Sequence, residues 1–437
     1  MRARNRELFG LLPASLLITA GFAAVFIQEN GKLSNVSLVY GAVFLGLCVA
    51  GHVFIRITLP YADPYMFPLV AVLACFGLVM IYRIEGATSA RDQAQWFVLG
   101  LLLFAGTVIF FRDYRKLENY RYLIVIASLV FLALPRVPGL EFAEQTNGAY
   151  LEIHIGSLTF QPTEFAKIGL VIFLASYLRD YRQSLAGGRR VLWFTIPPLK
   201  YLGPVLLLWG AAMVILLVLH DIGSSLMFYG GLLSILYVAT NRTSFVVIGL
   251  VAFCAGAWYL GTHIAHVDAR VQAWLHPFNK TLYDTPGGSF QLANAQFAQA
   301  AGGLFGQGFG QSMLTVPGTT NAIIPAPDTD MIYAVITDEL GLFGAAAVLL
   351  IYLLLIARGF KAAMLARDSF SKLMATGLSA IVALQVFVIV GGVTRVIPLT
   401  GVTLPFISYG GSSILANFIL VALLLLVSDR ARRPASP

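Results

Sequence analysis

Charged residues are scarce in this sequence. Only 11% of its 437 residues are Asp, Glu, Lys or Arg, whereas 58% are hydrophobic. In a soluble domain about a quarter of the residues are charged. The composition therefore excludes an ordinary soluble globular protein and indicates a membrane protein.

Cysteine is also rare. The three cysteines, Cys48, Cys75 and Cys254, all lie in hydrophobic stretches, where a free thiol behaves as a small apolar side chain. We therefore interpret them as packing residues, and we expect neither a disulfide framework nor a cysteine-ligated metal site.

The alternation of apolar and polar residues that a transmembrane β-barrel requires is missing as well. Residues 345–357, "AAAVLLIYLLLIA", are apolar on every side, and about 18 or more such residues cross a hydrocarbon layer of about 30 Å as a helix. We therefore predict an all-α, polytopic transmembrane helical bundle of about 12 spans. The predicted spans are residues 9–28, 36–57, 66–84, 95–111, 121–135, 164–179, 202–220, 223–239, 244–265, 331–357, 373–394 and 409–428.

Lysine and arginine are distributed unevenly among the segments that join these spans. With the N-terminus in the cytoplasm, 21 of them lie in cytoplasmic segments and seven in outer segments. Cytoplasmic loops of membrane proteins carry an excess of Lys and Arg, so both termini are expected to be cytoplasmic. The net charge of +8 is then explained by this orientation and by contact with anionic membrane lipids, and no nucleic-acid partner is expected.

A long polar segment, residues 266–330, is expected on the outer side. Loops of this length are uncommon unless they are functional or contain elements of their own. Part of the segment has the spacing of a short amphipathic helix on the outer leaflet. The residues with this spacing are Phe290, Ala293, Phe297, Ala300 and Leu304.

Glu164 and Lys167 carry opposite charges at the start of a predicted span. Pro162 indicates a helix start, and the i, i+3 spacing places both charges on one helix face. A charge in the bilayer centre costs about 2.5–3.5 kcal/mol. The pair is therefore interpreted either as a structural ion pair between helices or as part of substrate contact or gating.

Three weaker patterns have structural alternatives. Asp221 is expected to cap the helix that follows it through the N–H groups of the next turn. His263, His266 and Asp268 have a spacing that could hold a metal, but without a fourth ligand the signal is weak, and interfacial histidines are the simpler explanation. The glycine-rich stretch 302–310 follows no strand, which excludes a dinucleotide site and leaves a flexible turn or an anion-binding nest.

Asp284 lies in the stretch "DTPGGSF", where proline and glycine predict a tight turn. The other acids of the outer segment are only Asp268, Asp328 and Asp330. An acid-dependent site in this segment would have to use these four residues. The alternative is that Asp284 caps its own turn.

Several segments together resemble, in order, the signatures of the SEDS family (shape, elongation, division and sporulation), which includes RodA and FtsW. The resemblance covers about residues 63–428 and is strongest to actinobacterial RodA-type proteins. Its motifs are "GSLTFQPTEFAKI", "HDIGSSL", "WLHPFN" with "DTPGGSFQ", "GGLFGQG", "DTDMIYAVITDELGLFG" and "PLTGVTLPFISYGGSSILANF".

The resemblance implies a peptidoglycan glycosyltransferase that polymerises lipid II on the outer face of the bacterial cytoplasmic membrane, with a class B penicillin-binding protein as partner. It places the catalytic aspartate at Asp284, which we expect to act as a general base. The residues expected to bind substrate, to compensate the pyrophosphate charge or to gate access are Glu164, Lys167, Arg136, Arg270, Lys280, Arg395, Ser412 and Ser413. No cofactor is implied with certainty, although a divalent cation, Mg²⁺ or Mn²⁺, could assist.

Members of this family commonly have ten spans, so residues 1–62 are expected to be an added N-terminal helix pair before a core at 63–428 and a tail at 429–437. Arg395 departs from the family pattern, because its position is usually small or apolar. A lipid II flippase is the main alternative function, since transporters use buried charges such as Glu164 and Lys167. A non-catalytic scaffold for cell-wall enzymes is a third.

Overall fold

The computed structural model describes residues 2–30, 35–137, 152–155, 158–187, 189–191, 194–196, 198–285, 287–315 and 322–434. These residues form fourteen α-helices, two short 3-10 helices and four short strands. The helices are α1 (Arg2–Asn30), α2 (Asn35–Thr58), α3 (Met66–Phe110), α4 (Arg121–Ala133), α5 (Pro162–Ala186), α6 (Leu199–Val218), α7 (Ile222–Thr240), α8 (Thr243–His263), α9 (Ala265–Leu275), α10 (Lys280–Tyr283), α11 (Phe290–Gly302), α12 (Ile332–Leu365), α13 (Ser369–Val393) and α14 (Gly411–Arg432). The 3-10 helices are Tyr114–Tyr120 and Leu134–Arg136. The strands form two antiparallel hairpins, β1 (Ile153–Ile155) with β2 (Leu158–Phe160) and β3 (Arg189–Val191) with β4 (Phe194–Ile196).

The prediction of an all-α membrane bundle is confirmed. Among the described residues, ten helices are long and apolar enough to span a membrane. The difference from twelve predicted spans has two causes. Helix α3 contains two of them, since its 45 residues would extend about 68 Å, more than twice the apolar thickness of a bilayer. Helix α5 contains the span predicted at 164–179, but its charged residues make it more polar than the other ten.

Glycines break the two longest helices. Gly86 in α3 has φ 82° and Gly341 in α12 has φ 65°. Both values lie in the left-handed region, which favours glycine because it has no Cβ. The chain therefore changes direction at these points, with α3 divided between its two predicted spans.

The centre of the bundle is built from α13 and α14. These are the most buried of the ten spans, whereas α8 is the least buried. Helix α14 packs against α3, and α13 packs against α5, α7 and α12. Because the first turns of α5 lie beside α13 and α14, Glu164 and Lys167 face the protein interior, whereas Arg179, Asp180 and Arg182 at the other end of the helix are exposed.

Helices α1 and α2, which were predicted as an added N-terminal pair, pack against α3. The Phe22 and Tyr82 rings meet edge to face with centroids 5.1 Å apart, and the Cys75 thiol lies 3.0 Å from the Ala14 carbonyl oxygen. All three cysteines are free. Cys48 and Cys75 are buried as predicted, but Cys254 is exposed on α8, because few residues of that helix meet a neighbour.

A helix is present in the predicted stretch as α11, but the predicted apolar face is wrong, since Ala300 and Leu304 are exposed and Leu304 lies beyond the end of the helix. Leu292, Ala295 and Ala298 are buried, and α11 packs against the first part of α12. Phe297, by contrast, is 54% exposed. The buried face is therefore formed by Leu292 and by small residues that allow a close approach to α12, and the Phe297 ring lies on the exposed face.

Candidate active site

Asp284 lies at the C-terminal end of the short helix α10. Its backbone N–H donates to the carbonyl of Lys280 at 3.0 Å, so the main chain fixes its position. The residue is exposed, and within the part of the chain that the structure describes its carboxylate has no hydrogen bond or ion pair. The side chain is therefore available to accept a proton from a bound molecule, and the alternative of a self-capping turn finds no support in these contacts.

Contacts between the residues before and after Asp284 hold its turn together. The Ser289 N–H donates to the Leu282 carbonyl at 3.0 Å, and the rings of Tyr283 and Phe290 lie 5.0 Å apart. The Tyr283 hydroxyl also lies within hydrogen-bond distance of the Asn294 side chain on α11. Asp284 is thus presented on a short, closed turn against the first turns of α11.

The Glu164–Lys167 ion pair forms as predicted. The Lys167 Nζ lies 2.6 Å from Glu164 Oε2, and both side chains are almost completely buried. Lys167 also donates to Gln385 Oε1 at 2.9 Å, and Gln385 donates to the Thr403 carbonyl at 2.9 Å. The pair therefore joins α5 to α13 and to the segment before α14, a position compatible with both of its predicted roles.

Asp221 caps α7 as predicted. Its Oδ1 accepts from the Ser224 N–H at 2.9 Å. Its Oδ2 is buried and has no hydrogen-bond partner among the described residues. Burial raises the pKa of Asp221, and the nearby positive charge of Arg270 partly opposes this rise.

The other predicted substrate residues occupy different surroundings. Arg136 and Lys280 are exposed, at the end of the second 3-10 helix and at the start of α10. Arg270 donates to the carbonyls of Leu399 and Thr400 at 3.3 and 3.2 Å. Arg395 donates to two carbonyls at the end of α9, both at 2.9 Å.

Ser412 and Ser413 are buried at the start of α14. The Ser412 hydroxyl oxygen accepts from the N–H of Gln161 at 2.9 Å, immediately before α5. The Ser413 hydroxyl accepts from Thr403 Oγ1 at 3.1 Å. Both serines therefore connect α14 to the segments that hold the Glu164–Lys167 pair.

The metal pattern is not assembled. Within the described ranges, no three His, Cys, Asp or Glu side chains are grouped as metal ligands. His263 Nδ1 lies 2.9 Å from the Tyr259 carbonyl, and the His266 ring lies 4.4 Å from that of His220. Asp268 accepts from its helical neighbour Gln272.

The glycine-rich stretch lies against the break in α12. The N–H groups of Gln307 and Gly308 donate to the carbonyls of Asp338 and Glu339, and the N–H of Gly310 donates to the Glu339 carboxylate at 2.9 Å. These N–H groups are already bonded within the protein. The stretch is therefore a packed connection, and an anion-binding nest is not supported.

Asp330 was predicted only as one of the four acids of residues 266–330, with no role of its own. Burial raises the pKa of this carboxyl to about 6, although the positive charge of Arg270 opposes the rise. Gln291, on the first turn of α11, donates to it at 3.5 Å. The only local signal for a role of Asp330 was its place in the "DTD" motif. Its burial could not be predicted, because it depends on residues distant in sequence.

We expect Asp330→Asn to change how stability depends on pH. Because the folded-state pKa is raised from 3.8 to about 6, the folded protein binds this proton more tightly than the unfolded chain does. The protonated Asp330 carboxyl therefore stabilises the folded state below pH 4. As pH rises to about 6 this stabilisation, about 2–3 kcal/mol, is lost. Thermal unfolding in detergent between pH 4 and 7.5 should show this loss in the wild type and not in Asp330→Asn. Asp113→Asn, at an exposed aspartate, is the control and should keep the wild-type pH dependence. If stability depended on pH equally in the wild type and in Asp330→Asn, this prediction would be contradicted.

Comparison with known proteins connects this geometry to a family. Residues 64–433 match the FtsW/RodA/SpoVE family model, described as cell cycle protein. The chain is 41% identical over 441 residues to peptidoglycan glycosyltransferase RodA of Mycobacterium tuberculosis, covering 99% of this chain and 92% of that protein.

Two solved structures share the fold. A chain from a peptidoglycan synthase complex that coordinates polymerization and crosslinking has a TM-score of 0.65 and 27% identity, covering 85% of this chain and 99% of that chain. The rod shape determining protein RodA of Thermus thermophilus has a TM-score of 0.58 and 26% identity, covering 86% of this chain and 98% of that chain. The chain is therefore a multi-pass membrane protein that belongs to the FtsW/RodA/SpoVE family, the family that its motifs predicted.

Proposed function

We propose that this chain is a peptidoglycan glycosyltransferase that polymerises lipid II on the outer face of the cytoplasmic membrane, for cell elongation and shape. The observation that carries the proposal is its similarity, over nearly the whole chain, to relatives named as peptidoglycan glycosyltransferases. The names of these relatives favour a polymerase over a flippase.

Asp284 is the general base of the proposed reaction. Its carboxylate takes the proton from the sugar 4-hydroxyl of the acceptor while that oxygen attacks the anomeric carbon of the donor. The bond from the anomeric carbon to the lipid pyrophosphate breaks, and the pyrophosphate leaves with the electron pair. Since pyrophosphate is already a good leaving group, a strong protein acid is not required, and one exposed carboxylate is sufficient.

The pyrophosphate charge requires cations at the outer surface. Lys280 is the best placed of the expected residues, because it is exposed and lies at the start of α10, the short helix that Asp284 directly follows. Arg136 is exposed as well, whereas Lys167 is buried against Glu164. Arg270 and Arg395 are less available for this role, because their guanidinium groups already donate to backbone carbonyls. A Mg²⁺ or Mn²⁺ ion brought by the pyrophosphate itself would need few protein ligands.

The proposed orientation follows from the distribution of Lys and Arg, which places both termini in the cytoplasm and residues 266–330 outside. Lipid tails then remain in the bilayer while the sugars reach Asp284. The proposed partner is a class B penicillin-binding protein, which supplies crosslinking. A related chain from a complex that combines polymerization with crosslinking supports this proposal.

The decisive experiment gives lipid II to the purified full-length protein, with and without a candidate transpeptidase and a divalent cation. Glycan strands separated on a gel are the expected product. The same protein in vesicles should not move lipid II between leaflets. Transfer between leaflets with no polymer formed would contradict the proposal and support the flippase.

We expect Gly288→Ala to lower polymerisation by about 10²-fold, because displacing a reacting group by about 1 Å can have an effect of this size. A Cβ at this position would lie 2.0 Å from the Leu282 carbonyl oxygen, so the Asp284 turn would have to open. Thermal unfolding should change little, since the turn is at the surface.

The matched control is Gly287→Asn. Gly287 has φ 74° and open space around it, and asparagine tolerates this backbone region. Near-normal activity is therefore expected for this variant. Equal activity of Gly288→Ala and wild type would show that the shape of the turn does not matter.

A further inference from the structure

Both ends of the segment that carries Asp284 are attached to residues 393–400, the last residue of α13 and the turn that follows it, which we call the anchoring turn. After Asp284, two glutamines of α11 donate to the same carbonyl, that of Val393. Gln296 Nε2 and Gln299 Nε2 each lie 2.9 Å from this oxygen. Before Asp284, the indole Nε1 of Trp274 on α9 donates to the Arg395 carbonyl at 3.0 Å.

Two arginines strengthen the attachment in opposite directions. Arg270 of α9 donates to the carbonyls of Leu399 and Thr400 in the anchoring turn. Arg395 of the anchoring turn donates from Nε to the Trp274 carbonyl and from Nη2 to the Leu275 carbonyl. Carbonyls in the last turn of a helix have no partner within the helix, and a cation is favoured at this end of the helix dipole. Arg395 therefore satisfies the end of α9 directly before the chain continues to Asp284.

The anchoring turn is itself fixed to the centre of the bundle. The N–H groups of Val396 and Ile397 both donate to the Gly391 carbonyl in α13, at 2.7 and 3.1 Å. Helix α13 is among the most buried spans. Movement of the turn relative to the bundle would therefore break several hydrogen bonds.

The backbone of Arg395 supports a specific role for its side chain. Its φ is 63°, in the region that favours glycine over residues with a Cβ. An arginine at this position carries a conformational cost that glycine would avoid. The two carbonyl contacts at the end of α9 are a benefit that only a side chain with a planar, forked donor group can supply.

We propose that the anchoring turn holds the Asp284 segment in its reactive position, and that Arg395 and Trp274 are positioning residues rather than ligands of the pyrophosphate. This inference rests on the proposed glycosyltransferase function. It replaces the expectation that Arg395 binds substrate, because its guanidinium group is directed to α9. Because Arg395 and Trp274 contact each other, the inference also predicts that the effects of substituting them on kcat are not additive.

The test compares Arg395→Gly, Trp274→Phe and the double variant of the full-length protein, with kcat and KM measured separately for lipid II. Arg395→Gly keeps the backbone conformation accessible and removes the guanidinium group, while Trp274→Phe removes one donor and no charge. Each single variant should lower kcat by about tenfold and leave KM within about twofold. The double variant should lose little more than the stronger single variant, because coupled residues are not additive.

Arg395→Lys separates charge from geometry. Lysine keeps the charge but cannot reproduce a forked contact with two carbonyls, so only partial recovery relative to Arg395→Gly is expected. Trp258→Phe is the matched control, since Trp258 is 71% exposed on α8, and it should behave as the wild type. A pyrophosphate ligand would give a different result, with KM raised by Arg395→Gly, full activity in Arg395→Lys and no effect of Trp274→Phe, and this outcome would overturn the inference.

Hydrogen exchange supplies a second measurement that does not depend on activity. Amides of residues 276–290 should exchange faster in Arg395→Gly and Trp274→Phe than in the wild type, because local opening becomes easier. Unchanged exchange in both variants would overturn the inference, even if the wild type polymerises lipid II. Conversely, faster exchange in a protein that makes no glycan would reject the proposed function and keep the structural role of the anchoring turn.

Discussion

Asp284→Asn is expected to abolish detectable glycan synthesis while the protein remains folded. Asparagine has nearly the same size but cannot accept the proton of the attacking hydroxyl, and a positioned base contributes about 10²–10⁴ in rate. Folding should be unaffected because the carboxylate is exposed and has no hydrogen bond or ion pair among the described residues. Polymerisation of lipid II on a gel, together with thermal unfolding of the same samples, measures both effects.

Asp268→Asn is the matched control for this prediction. Asp268 is another aspartate of the outer segment, but its side chain accepts from Gln272 within α9. This variant should polymerise lipid II at nearly the wild-type rate. If Asp284→Asn were as active as the wild type, Asp284 could not be the general base. If both Asp284→Asn and Asp268→Asn lost activity, the loss would reflect a general sensitivity of residues 266–330 to substitution.

Lys167→Met is expected to lower the stability of the protein by about 3–5 kcal/mol. The substitution leaves Glu164 buried without its partner, and breaking a buried ion pair from one side has a cost of this size. It also removes the hydrogen bond to Gln385 that joins α5 to α13. The loss should be visible as a lower unfolding temperature in detergent.

The double variant Glu164→Gln/Lys167→Met distinguishes the two roles of this pair. Without a buried charge, it should recover much of the lost stability. Recovery of both stability and activity would identify a structural ion pair, whereas recovery of stability alone would show that the charges contact substrate or control access. A double variant as unstable as Lys167→Met would contradict the explanation by an unpaired charge.

Local features of the site were predictable because they depend on neighbours in sequence. The i, i+3 spacing of Glu164 and Lys167 is sufficient to bring their charges together on a helix, and an aspartate before a helix commonly caps it, as Asp221 does. The position of Asp284 at a surface turn followed from proline and glycine. The separate contacts of His263 with Tyr259 and of His266 with His220 did not follow from sequence, because each ring is oriented by a different neighbour in the folded protein.

The roles of the arginines could not be predicted in the same way. Arg395 and the α9 carbonyl groups that it contacts are separated by about 120 positions, so no local pattern relates them. From the sequence, Arg395 was only an unusual charge in a segment expected on the outer side. Asp330 is a second example, since its burial depends on the packing of residues distant in sequence.

Hydrophobic length and scarcity of charge were sufficient to predict the helical class and the approximate spans, because a chain in lipid must satisfy its backbone hydrogen bonds within each span. The choice of Asp284 as the catalytic acid came from the family resemblance of its motif and stays a prediction. The folded structure was needed to show that the spans 66–84 and 95–111 belong to one helix divided at Gly86. It was also needed to show which cations face the protein and how the anchoring turn contacts both ends of the Asp284 segment. These features arise from contacts between side chains and distant backbone carbonyl groups, and such contacts exist only after the helices have packed.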